Sequence, residues 1–174
     1  LKLIKSIPSA LMPHMIKPAS VVIIAWVGFA TIGTLVVHPL SEKLGDKGDM
    51  ILRNFYGYST YNKIFPIAAI ITTLAGLIMW GISADGIDLI NFNTTGDYVM
   101  ATGVVFGLLA FGHGAGATGR FSALYAKEAR AYEENGGTNS KALSEARAKL
   151  FTHSNISGIL TVIAALLMAS ARYW

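Results

Sequence analysis

Cysteine is absent from this chain. That excludes disulfides, thiolate metal sites, iron–sulfur clusters and a thiol nucleophile. Charge is scarce as well: 14 % of residues are Asp, Glu, Lys or Arg, and the mean hydropathy is +0.50. In four stretches charge is missing altogether. They run 19–40, 64–84, 98–119 and 150–171, each of 21 or 22 residues. Each is closed by charges: Lys17 and Glu42, Lys63 and Asp85, Asp97 and Arg120, Lys149 and Arg172. A helix needs roughly 20 apolar residues to cross the ~30 Å hydrocarbon layer, so the chain reads as an integral membrane protein. The lack of any carboxylate inside a span argues against a carboxylate-based proton or cation relay.

The spans take about half of the 174 residues, which leaves a single membrane domain over 1–174. The expected fold is all-α: a four-transmembrane-helix, up-down-up-down bundle. Its net charge of +4 does not point to nucleic acid, because the basic residues cluster at span ends and in loops. The loops 41–63 and 120–149 carry ten Lys or Arg, against four (Lys2, Lys5, Lys17, Arg172) on the side of the termini. The positive-inside rule therefore places those loops in the cytoplasm and both termini outside it. On that sidedness Asn93-Thr94-Thr95 is an outward-facing glycosylation-type triplet. The opening segment, broken by Pro8, Pro13 and Pro18, reads as interfacial.

Local signals fill in the picture. Gly28 and Gly33 in span 1, and the Gly103/Gly107 and Gly112/Gly116 pairs in span 3, mark faces where another helix or a flat ligand can come close. Pro66 is expected in the first turn of span 2, where a missing N–H costs little. A short interfacial helix is expected from about Asp49 to Tyr58. Beyond span 3, RFSALYAKEARAYEEN has strong helix formers up to Gly136-Gly137, so that helix continues about four turns. Thr138, Asn139 or Ser140 then caps a helix leading into span 4. The result is a cytoplasmic helical hairpin between helices 3 and 4. Arg53, Arg120 and Arg147 could bind lipid headgroups or carboxylates, and boundary residues that snorkel are the favoured reading.

Two sets of residues bear on chemistry. His38, His113 and His153 lie at similar depths, about 3 to 10 Å from the cytoplasmic ends of their helices at ~1.5 Å per residue. Imidazole ligates haem iron, copper and zinc, and a bis-His haem b between helices is a common bundle arrangement. His113 with His38 or His153 opposite is the pair to consider, against plain packing or interfacial roles. On the outer side Met12, His14 and Met15 have the thioether and imidazole chemistry that suits copper, with Asp85, Asp88 and Asp97 available nearby; an apolar interfacial turn explains the same residues. Ser154, Ser157 and Ser170 show no base and orienting acid that would make a nucleophile.

Several patterns resemble the copper-resistance-protein-D-like membrane proteins and a related uncharacterised four-helix family. They are the glycine-bearing Ala25-Trp26-Val27-Gly28-Phe29 in span 1, Arg53 ahead of span 2, and Thr73-Leu74-Ala75-Gly76-Leu77 within it. The run Ala165-Leu166-Leu167-Met168 in the last span completes the set. The sequence departs from that pattern where Leu74-Ala75 separates Thr73 from Gly76, and in its ending Ala171-Arg172-Tyr173-Trp174. The resemblance implies a copper-related or accessory membrane role and transfers no functional residue.

Three functions are compatible with these signals. The favoured one is a noncatalytic accessory subunit of a larger membrane complex, respiratory or copper-dependent, with other membrane subunits and lipid as partners. The others are a b-type haem or metal-binding electron-transfer subunit using His113, and a small metal-handling or transport protein using Met12, His14 and Met15.

Overall fold

The computed structural model describes residues 26–83, 92–138 and 140–174, and within them there are helices and no strand. Helix α1 covers 26–43 and passes through a π-helical turn at Gly33–Val37. Helix α2 is Asp46–Tyr58 and α3 is Tyr61–Ser83. Helix α4 runs unbroken over Thr95–Glu134, with a second π turn at Gly114–Thr118. Helix α5 is Ser140–Ser170, closed by a 3₁₀ turn at Ala171–Tyr173. Three of these are long and apolar enough to cross a membrane: Tyr61–Ile78 in α3, Thr95–Glu134 and Lys141–Ser170. The first expected span, 19–40, is helical from residue 26 onward, and its earlier part lies outside the described residues.

The helix ends follow local chemistry. Thr94 caps α4 in a reciprocal box: the Asp97 N–H donates to its hydroxyl at 3.3 Å, and its own N–H donates to the Asp97 carboxylate at 2.8 Å. This satisfies two N–H groups that a helix start leaves bare. Gly45, at φ +53°, opens α2, with Asp46 and Asp49 in the first turn, where the helix dipole favours negative charge. The α4–α5 turn uses Gly136 and Gly137 at φ +62° and +87°, the left-handed region where glycine carries no Cβ penalty.

Two expectations need correction here. Helix α2 begins at Asp46 rather than near Asp49. Pro66 sits inside α3, in its second turn, because α3 starts at Tyr61. A proline there removes the hydrogen bond to the carbonyl four residues back, that of Asn62.

Helices α4 and α5 share the most extensive interface, and small residues make it close. A Cβ at Gly103 would lie 2.8 Å from Met168 Cγ and 3.1 Å from the Met168 nitrogen, and one at Gly96 would lie 2.6 Å from the Ala171 carbonyl oxygen. Gly158 of α5 receives Thr34 of α1. By contrast, a Cβ at Gly28, Gly112 or Gly116 would meet nothing within 4 Å, so the expected close packing is realised at Gly103 and not at these three.

At the arginine-bearing end, α2 packs on the second half of α4 and the first turns of α5 around Leu52, Tyr56, Tyr125, Ala129, Ala146 and Leu150. Arg53 donates to Glu133 at 2.6 Å and lies over the Tyr132 ring. Arg147 donates to Asp49 at 2.5 Å and to the Ser41 hydroxyl at 3.2 Å, and lies over Phe151. These two arginines therefore cross-link helices through carboxylates, the alternative to the favoured snorkelling.

Candidate functional site

Between α1, α3, α4 and α5 lies a cavity of about 270 Å³. Both π turns border it: Gly33 and Thr34 from the first, Gly114, Ala115 and Thr118 from the second. A π turn inserts one extra residue into the helix and re-aims the side chains around it, and such turns recur at functional sites. Most of the lining is apolar, with aromatic walls from Trp26, Phe65 and Phe111.

The polar groups at the cavity form three linked sets. At the inner end His38 Nε2 lies 3.0 Å from the Tyr56 hydroxyl, and its ring stacks on Phe151 with centroids 3.9 Å apart. Burial raises the Tyr56 hydroxyl well above the usual phenol range, and a hydrogen bond with Ser154 only partly opposes this. Tyr56 therefore stays a neutral phenol at physiological pH. His38 is 3 % exposed, and its Nδ1 has no hydrogen-bond partner among the described residues. Beside this pair, Ser122 donates to the Asn62 side-chain oxygen at 2.6 Å, and the Asn62 amide donates to the Tyr56 carbonyl at 2.5 Å.

The third set joins α4 to α5. Thr118 donates to the His153 carbonyl at 3.0 Å and lies 2.8 Å from the Ser157 hydroxyl. Ser157 is 2.8 Å from His113 Nδ1, and His113 Nε2 is 3.2 Å from His153 Nδ1. Phe121 stacks on the His153 ring at 4.6 Å. Ser157 thus has an imidazole beside it, which the sequence did not reveal. The group behind that imidazole is another imidazole and offers no carboxylate charge to orient and stabilise it.

The histidines expected to share one site therefore divide. His113 and His153 meet, while His38 is held apart by Tyr56 and Phe151. Two imidazole nitrogens on opposite sides of a metal stand about 4 Å apart, at ~2 Å per bond. The 3.2 Å contact is too short for that opposed arrangement, so the two rings leave no gap for a porphyrin between them; it is the separation of a hydrogen bond, and also that of two neighbouring ligands on a tetrahedral metal at ~2 Å per bond. Among the described residues no group of three or more His, Cys, Asp or Glu is placed to hold a metal ion. Met12, His14, Met15, Asp85 and Asp88 lie outside the described residues, and Asp97 is engaged in the α4 cap.

Sequence reasoning passed over Thr118, Ser122, Ser154 and Ser157 as site residues. The signal was present: Ser154, Ser157 and Thr161 recur at helical spacing on one face of α5, and Thr118 and Ser122 do so on α4. No protein-family model, characterised protein or solved structure matches the chain.

Proposed function

We propose that this chain is a noncatalytic subunit of a larger membrane complex. It is read as a four-span, up-down-up-down bundle with both termini outside the cytoplasm, and with α2 and the α4–α5 hairpin inside. The resemblance to copper-resistance-protein-D-like proteins favours a copper-dependent or respiratory assembly. One observation carries the reading. Gly112 and Gly116 stand one turn apart on α4, both exposed and neither lining the cavity, and nothing within 4 Å would meet a Cβ at either. In lipid, helices associate through such small-residue faces, because backbones approach closely there. Native gels after mild solubilisation should show the chain in a larger species, and Gly112→Leu should release it. A stable, monodisperse 18.6 kDa species from the native membrane would overturn the proposal.

The His113–His153 contact favours a second reading, a haem- or metal-binding subunit in which ligation replaces that hydrogen bond. A Soret band in the purified protein that is lost in His113→Ala would support it, and a featureless visible spectrum after haem reconstitution would count against it.

A further inference from the structure

The cavity has a chemistry of its own that membership of a complex does not explain. Among the described residues no Lys, Arg, Asp or Glu lines it, so a charged guest would lose its hydration without a counter-charge. Its walls are aromatic, and Phe65 stacks on Tyr61 with ring centroids 5.3 Å apart. About 150 Å³ of apolar space accepts a benzene ring, so about 270 Å³ accepts one substituted ring. Pro66 and Ile70 of α3 and Ala115, Gly119 and Ala123 of α4 both line the cavity and are exposed, which puts its mouth at the α3–α4 seam, on the apolar flank of the bundle.

Polar capacity is left over inside. Tyr61 lines the cavity, and its hydroxyl stands 3.5 Å from where a Cβ on Gly33, another lining residue, would lie; that hydroxyl has no hydrogen-bond partner among the described residues, although the ring is held by Phe29, Phe55, Tyr56 and Phe65. Behind it, His38 is buried with an unpartnered nitrogen. Buried imidazole nitrogens in proteins are ordinarily satisfied, and a hydroxyl facing an apolar cavity has only a guest to donate to. A rigidly held, unused O–H donor in an uncharged, aromatic-walled cavity is matched by a neutral ring that carries an acceptor oxygen. We propose that this cavity binds a lipid-soluble quinone-type ring, which enters from the bilayer between α3 and α4, accepts a hydrogen bond from Tyr61 and packs against Phe65 and Phe111.

The test uses the full chain in detergent, with duroquinone as the probe and durene, the same methylated ring without oxygens, as its control. A ligand that binds only the folded state raises the melting temperature in a saturable way. Duroquinone should do so, with durene at least tenfold weaker. Tyr61→Phe keeps the ring contacts and removes a hydroxyl that has no partner among the described residues, so it should fold normally and weaken duroquinone about tenfold. Ala115→Phe, at the mouth, should abolish the shift. Equal shifts from the two compounds, no saturable shift, or a duroquinone shift unchanged by both substitutions would overturn the proposal. Migration on native gels reads the subunit proposal separately, and Tyr61→Phe should leave it as it is.

Discussion

The two ends of the bundle are built by opposite rules. At the arginine-bearing end large side chains point inward: Leu52 and Leu150 are fully buried and Tyr125 nearly so. Along the apolar shafts the buried residues are small, such as Ala68, Ala69, Ala110 and Ala164, while Leu74, Val105, Ile159 and Leu166 are more than half exposed. In water, burying large apolar groups drives packing. Between lipid-solvated helices that drive is gone, and close approach of small residues takes its place. On the membrane reading proposed above, α2 and the α4–α5 hairpin are a water-facing head that clamps helices whose shafts are held more lightly.

Two leucines on α5 give the largest expected break in that contrast. Leu150→Ala removes a side chain with no exposure from the head cluster and leaves a cavity, a change that costs about 2–5 kcal/mol. Leu166→Ala trims a side chain that is 65 % exposed, and surface changes of that kind stay within about 0.5 kcal/mol. Thermal unfolding in detergent reads both. Similar losses at the two positions would mean that the head and the shaft are not distinct in the way described.

How much of this was legible beforehand depends on the range of the interaction. The shafts follow from uncharged runs long enough to cross a bilayer, and the continuation of α4 past Arg120 follows from helix formers ending at Gly136 and Gly137. Both are local signals. The Arg53–Glu133 and Arg147–Asp49 pairs join residues 80 and 98 positions apart, and nothing in a single sequence couples such positions. The three histidines were expected at similar depths, but depth alone does not fix the rotation of a helix about its axis. Rotation brings His113 to His153 and turns His38 toward Tyr56. The serines beside them were legible only as a spacing on α5, and their partner residues on α4 became visible once the two helices were paired.

Glycine reads the shaft more finely, because one added methyl probes local room with little other change. At Gly103 the new Cβ would press on Met168 Cγ at 2.8 Å and on the Met168 nitrogen at 3.1 Å. The nitrogen is backbone and yields only if α5 moves, so Gly103→Ala should lose about 1–3 kcal/mol, the usual cost of overpacking. Gly112, nine residues along the same helix, has no neighbour within 4 Å. There the methyl meets no clash and reduces the freedom of the unfolded chain, so Gly112→Ala should be neutral or stabilising by about 0.5–1 kcal/mol. Opposite signs from one chemical change would locate the tight seam at the α4–α5 contact and leave the Gly112 face free for another helix. A loss at Gly112 equal to that at Gly103 in the isolated protein would show that this face is already occupied within the chain itself, and the small-residue argument for a partner would fail.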